Sequence, residues 1–573
     1  MAETIISPGV FQRENDISFI QPAPVEAGAA ILGPTVKGPV EIPTIVTSYN
    51  EYTRKFGVAF QSGSDKHEFL TSMAVKSYFD QGGNTCLVTR VVNGSYGAAS
   101  STAIVDAGAS VNSPFTLQTL GKGVIYNNVT SSVYGEENTD GSLVSGSSDN
   151  LRFDISNVDS ARGTFTLSLR RGDDNNKNKV VLESFNNLSL DPNSTNYIER
   201  VIGNQVKAIS GDGTQVSVTG DYVNQSNFIR VSAVNSPTLN YLSNDGVTVR
   251  NAAYVTSLPI AQKGAFQGAT GDVIGGALLY NNIAAGNTQG LVGTNYDKVI
   301  TLLGNADDYQ FNVITAPGLI DALHPTQVDN IVSLVESRGD SIAVLDLVAY
   351  GSAVSNVATQ AQGQNSSYAA SYWPWLQMQS GTGKNVWVPA SVVIPGIYAF
   401  TDGAAAPWFA PAGLVRGGIV GVIQAERKLS RTDRDTLYNG KVNPIATFPG
   451  TGLAVFGQKT LQTKASALDR VNVRRLLIDL KKFIGDQANN LVFEQNTITT
   501  RNKFLSTVNP YLESVTQRQG LYAYRVVMDD SNNTADVIDR NQLVGQIFIQ
   551  PAKTAEFIVL DFVVEPTGAT FAG

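Results

Sequence analysis

Apolar positions along the chain fall into one periodic texture that is interrupted and then resumes. From Ala29 the spacing predicts a strand over 29–32 and another over 43–47. Ser48-Tyr49-Asn50-Glu51 then has the side chains of a capping box opening a short helix that stops at Gly57. Phe69, Leu70, Met73, Ala74 and Tyr78 approximate one helical stripe, Gly82-Gly83 ends it, and 86–92 is a run of strong β propensity. The pattern returns at Phe311-Asn312-Val313-Ile314. There follow a helix carrying Val328, Ile331, Val332 and Val335 at i, i+3, i+4 and i+7, and an apolar run over 342–348. A strand apolar on both faces must be covered on both, so these segments predict a βαβ unit in a parallel sheet. Between 95 and 245 the texture is short alternating strands, such as 164–169 and 216–218, broken by Asn, Asp, Gly and Ser clusters. That predicts a mostly β surface module inserted into an α/β domain whose halves flank it.

Near the C-terminus two segments stand out. Plotted at about 100° per residue, 468–487 gathers Val473, Leu476, Leu477, Leu480, Phe483 and Ile484 on a core face. Arg470, Arg474 and Lys481 lie on a line outside it, with Arg475 and Lys482 on a second line. Residues 459–520 hold ten basic against five acidic side chains, a net of +5. Either this is a solvated face, as most charge runs are, or it meets an acidic partner. The second segment, 555–564, would as a strand put Phe557, Val559 and Val563 on one side and Ile558, Leu560, Phe562 and Val564 on the other. By itself it reads as a central strand of the protein's own sheet, because an open edge of this composition invites aggregation.

Composition bounds the chemistry. A length of 573 residues predicts about four domains. A formal charge of −8 disfavours a nucleic-acid partner, and fifteen acidic against ten basic residues in 95–245 place much of the acidity in the inserted module. Cys86 is the sole cysteine and His67 and His324 the only histidines, so neither a disulfide nor a Cys/His zinc site is expected, and folding in a cytoplasm fits. No stretch reaches the ~18 apolar residues of a membrane span, so no membrane partner is expected. The histidines at helix entrances read as structural rather than as the base of a Ser-His-Asp triad. Gly381-Thr382-Gly383-Lys384-Asn385 lacks a P-loop's first glycine, where Met378 stands, and its final Ser/Thr. Arg171-Gly172-Asp173 reads as a loop tip, and Tyr372-Trp373-Pro374-Trp375 as packing between domains. No catalytic residue, cofactor or metal is expected.

Several strings, in order, resemble the tail sheath proteins of contractile-tailed bacteriophages. They are Ile6-Ser7-Pro8-Gly9-Val10, Gly82-Gly83-Asn84-Thr85-Cys86-Leu87-Val88-Thr89-Arg90-Val91, Ala410-Pro411-Ala412-Gly413 and Phe456-Gly457-Gln458-Lys459-Thr460-Leu461. Asp469 to Leu476, Ile538-Asp539-Arg540-Asn541 and Gly545 to Ala552 complete the set. The resemblance covers the chain outside the insertion. It implies an α/β and α+β multidomain fold: an N-terminal arm (1–23), a subtilisin-like α/β sheath domain (24–94 with 246–425), a β-rich outer module (95–245), and a C-terminal α+β domain (426–573) completed by terminal β-arms. It further implies a subunit of hexameric rings stacked helically around a tail tube, which contracts from a metastable state to drive the tube through the host envelope. The implied place is the virion tail, assembled in the host cytoplasm; the implied partners are the chain itself, the tube protein, and baseplate and terminator proteins. On this view Arg470, Arg474, Arg475, Lys481 and Lys482 are tube contacts. Ile5, Ile6, Val10, Ile17 and Phe19, with Phe557, Ile558, Val559, Leu560, Phe562, Val563 and Val564, lie on arms that add strands to neighbouring subunits. The alternative is a β-rich phage surface or adhesion protein whose middle module binds a receptor or glycan.

Overall fold

The computed structural model describes residues 26–62, 64–108, 113–128, 137–271, 278–450 and 452–557. Its largest element is an eight-stranded sheet in the order Thr44–Val46, Cys86–Arg90, Ala27–Gly33, Phe311–Ile320, Ile342–Asp346, Ala369–Trp373, Asn443–Phe448, Gly452–Val455. The six inner strands run parallel and the two outermost pair antiparallel. The parallel strands are the apolar runs of the sequence: every residue of Cys86–Arg90 and Ile342–Asp346 is buried, as a sheet covered on both faces requires. Helix Pro325–Arg338 closes the expected βαβ unit, burying Val328, Ile331, Val332 and Val335. The Ser48 hydroxyl caps its helix by accepting from the Glu51 N–H at 3.2 Å. The Glu51 carboxylate reaches back one residue further than expected, to the Thr47 N–H at 2.8 Å.

The insertion forms a separate seven-stranded antiparallel sheet around its own apolar cluster. Its strands lie in the order Val181–Ser189, Thr164–Arg171, Leu151–Asp159, Gln262–Gln267, Ala98–Ser101, Phe115–Lys122, Ile229–Val234. The strand Gln262–Gln267 lies at its centre, so the boundary expected at 245 falls short. Gln-Lys-Gly-Ala-Phe-Gln carries too little apolar alternation to be read as a strand, and it is held by its neighbours on both sides. The boundary expected at 426 is likewise too early, because Asn443–Phe448 and Gly452–Val455 are strands of the large sheet. A third apolar cluster joins Ala406 and Trp408 to Leu476, Leu480, Phe504, Val508, Leu512, Val515 and Leu521. Among the described residues no helix is long and apolar enough to cross a membrane.

Candidate functional site

The C-terminal region is built on two long helices, Val471–Asn489 and Ile498–Gln517, and a two-stranded sheet of Leu521–Val527 against Gln546–Pro551. The first helix belongs to two cores. Leu476 and Leu480 enter the C-terminal cluster, whereas Val471 and Ile478 enter that of the large sheet. It therefore acts as a strut covered on two sides.

That double coverage corrects the expected basic face. Val471, Arg474, Arg475, Ile478 and Lys482 stand at i, i+3, i+4, i+7 and i+11, so the cationic side is the side laid against the central domain. Arg474 is buried, its guanidinium 4.0 Å from the Tyr368 ring centroid and donating to the Ser367 hydroxyl at 2.5 Å. Arg475 is buried and donates to both Asp402 oxygens, at 2.7 and 2.5 Å, while lying over the Tyr398 ring. Burial works against its charge, but Asp402 and the two tyrosines Tyr398 and Tyr372 outweigh it and raise its pKa. Lys482 pairs with Glu26 at 3.0 Å and meets Asn312. Only Lys481 of this helix's four cations is exposed, with its Nζ 3.1 Å from the Tyr368 hydroxyl. Arg470, the N-cap, pairs with Asp469 at 3.0 Å and Glu556 at 2.7 Å.

Glu556 was legible only as a charge in an apolar run, and it proves to be the anchor of the chain's last described turn. Its carboxylate accepts from Arg470 Nε at 2.7 Å, from the Tyr438 hydroxyl at 2.6 Å and from Gln458 Nε2 at 3.1 Å. Burial alone would raise its pKa; these hydrogen bonds outweigh burial and lower it. One residue on, Phe557, the last described residue, is 80% exposed. The other expected arm residues, Ile5, Ile6, Val10, Ile17 and Phe19 and those from Ile558 to Val564, lie outside the described residues.

The small sheet has alternating faces. Leu521, Tyr524, Val526, Ile547 and Ile549 turn to the helices, while Tyr522 and Phe548 are exposed. Pairing is unbroken from Ala523 with Gln550 to Val527 with Gln546. Among the described residues neither strand has a second neighbour, so two edges of backbone N–H and C=O groups stand open.

The residues weighed for catalysis are occupied structurally. His324 is buried, its Nδ1 accepting from the Ile320 N–H at 3.2 Å and its Nε2 facing the Ala284 carbonyl at 3.1 Å. His67 lies in the strand Asp65–Glu68 against the Phe60 ring. Gly381 to Lys384 make a turn tied to Glu68 and Asp65, and Arg171 pairs with Asp173 inside its own loop. Trp373 and Trp375 are buried. Asp346 is buried with its pKa pushed up by burial to about 7, and it accepts from the Ser391 hydroxyl at 2.5 Å. Among the described residues no His, Cys, Asp or Glu cluster could hold a metal.

Family models match in two adjoining blocks, the phage tail sheath protein central domain over residues 293–461 and the phage tail sheath C-terminal domain over 463–565. Over 189 residues the chain is 45% identical to the tail sheath protein of Vibrio phage KVP40, and over 187 residues 41% identical to that of Enterobacteria phage T4. Each match takes in 33% of this chain and spans only 28% of the relative's length. Among solved structures, the sheath tail protein of Listeria innocua superposes with a TM-score of 0.50 at 10% identity, over 92% of this chain and 96% of that one, which is a likeness of fold.

Proposed function

We propose that this chain, whose central and C-terminal segments match phage tail sheath family models and resemble phage tail sheath proteins, is a member of that family and the structural subunit of a contractile tail sheath. It polymerises as stacked hexameric rings around a tail tube and resides in the virion tail, meeting baseplate and terminator proteins at its ends. The observation that carries the reading is the two-stranded C-terminal sheet, neither strand of which has a second neighbour among the described residues. One arm from each of two neighbours, about 3–20 and about 557–570, would complete it as outer strands. Backbone hydrogen bonds then supply affinity and alternate side-chain pockets supply register. The eight-stranded domain is the subtilisin-like sheath core and the inserted sheet its outer decoration. Arg474 and Arg475 brace the helix, and Lys481, the cation left exposed, is the tube contact with Arg470 and Lys482 beside it.

Contraction on this reading requires no catalysis. The extended lattice is metastable, subunits move nearly as rigid bodies as it relaxes, and the strand-exchanging arms keep them connected. The test is truncation. Chains lacking 1–23, or ending at Glu556, should remain soluble folded monomers with unchanged melting temperature and form no sheath-like tubes by electron microscopy. Normal tubes from either truncated chain would refute the reading.

A further inference from the structure

The two long C-terminal helices are joined by a loop that holds Phe493 in an unusual way. Its side chain is fully exposed, next to Val492 at 58% exposure, and its backbone sits at φ +71°, which a bulky aromatic rarely adopts. The loop around it is fixed. Leu491 is buried, Asn496 donates to the Gln542 carbonyl at 2.8 Å and accepts from Arg501 Nε at 2.8 Å, and Arg501 pairs with Asp530 at 2.6 Å. A rigid, solvent-facing aromatic is what interface hot spots present.

At the other end of the Val471–Asn489 helix lies a cavity of about 560 Å³. Its lining joins the small or apolar side chains of Ala465, Ala467, Val473 and Ala555 to the mutually paired Asp469, Arg470 and Glu556, with Lys553 also on its wall. Nineteen residues of helix span about 28 Å at 1.5 Å per residue, so one chain cannot place its own Phe493 there. One pair of charges is complementary. Glu494 follows the knob, Lys553 borders the cavity, both are exposed, and among the described residues neither forms an ion pair.

We infer that Phe493 of one copy seats in the cavity bordered by Lys553 of the next, with Glu494 meeting that lysine. A knob and socket on different parts of one surface make a head-to-tail contact, the kind that closes rings or propagates helices. This rests on the sheath reading and gives its rings a second contact beside that of the terminal arms, Phe557 itself bordering the cavity.

Cross-linking and substitution in the full chain test it. Cys86 is buried, so a Glu494→Cys, Lys553→Cys chain carries one accessible pair. Mild oxidation of its assembled tubes should give a ladder of disulfide-linked oligomers on non-reducing gels, absent from either single variant. Phe493→Gly removes the knob and relieves the positive φ. Its melting temperature should hold or rise, while the concentration needed for assembly rises at least about tenfold. Glu494→Lys should weaken assembly, and Lys553→Glu added to it should restore it. Tubes of the double-cysteine chain that give no ladder, together with unimpaired assembly of Phe493→Gly, overturn the inference and leave the sheath reading standing. A cavity protected from labelling in the unassembled wild-type monomer but freed by deleting 1–23 assigns it to the chain's own N-terminal segment and also overturns it. A wild-type chain that never polymerises removes both.

Discussion

Along both outer strands of the inserted sheet the pairing is interrupted, between Val181 and Glu183 and between Phe185 and Leu188 on one edge, and between Val231 and Ala233 on the other. Bulges of this kind twist an edge away from foreign strands. The C-terminal sheet shifts register once, between Leu521 and Ala523, and then presents five successive regular pairs on strands with no second neighbour among the described residues. Buried charge differs in the same sense. In the insertion, Arg152 and Arg170 converge on buried Asp174, at 3.3 Å and 2.7 Å, with Glu137 and Asp154 beside them, a cluster formed within the module, whose one ion pair to the central domain among the described residues is Asp149 with Lys37. In the C-terminal region Arg474, Arg475 and Lys482 bind outward, to Tyr368, Asp402 and Glu26 of the central domain, while Arg470, Arg501 and Arg540 pair within it. A module with interrupted edges and an internal charge cluster is suited to decorate; one with regular edges and outward charges is suited to join.

The strongest way to break this comparison is to destroy the closed module. Asp174→Ala leaves Arg152 and Arg170 buried without their shared partner. It should destabilise the insertion by about 3–5 kcal/mol, seen as early proteolysis within 137–267, while tube formation persists. Loss of tubes would show that the insertion joins subunits after all.

Next in size is a contrast within the strut helix. Arg475→Ala strands Asp402 and should cost about 1–3 kcal/mol in chemical denaturation. Lys481→Glu should stay within about 0.5 kcal/mol of wild type in stability yet weaken binding to purified tubes as salt is varied at low ionic strength. If both act only on stability, the helix is a strut and nothing more.

The smallest effect belongs to Glu556. Glu556→Gln should cost about 1 kcal/mol and loosen the segment it anchors, read as faster hydrogen exchange over 552–557. The sign with pH follows from the lowered pKa. The wild-type contribution is present above the ordinary glutamate value of 4.5, is lost as pH falls through the folded value, and the variant lacks that dependence.

Much of the architecture was legible because its signals are local. The apolar runs at 311–314 and 342–348 and the i, i+3, i+4, i+7 stripe between them specify a covered parallel sheet by periodicity alone. The 468–487 wheel likewise placed Val473, Leu476 and Leu480 correctly in a core. Gln262–Gln267 escaped because a central strand held by neighbours on both sides needs little intrinsic preference. The loop bearing Phe493 carried no periodic signal, and only its exposure and φ single it out.

The sequence by itself determined the α/β periodicity, the β-rich interruption and the family resemblance, since each is written in spacing along the chain. Tertiary structure alone decided which side of the basic helix is covered and where its charges go. A helical wheel gives the angle between Leu476 and Arg475, but whether Arg475 meets water or Asp402, 73 residues away, depends on which domain packs on that side. The same holds for Arg470 and Glu556, 86 residues apart. Ion pairing and burial are set by proximity in space, and no local pattern encodes proximity between segments so distant in the chain.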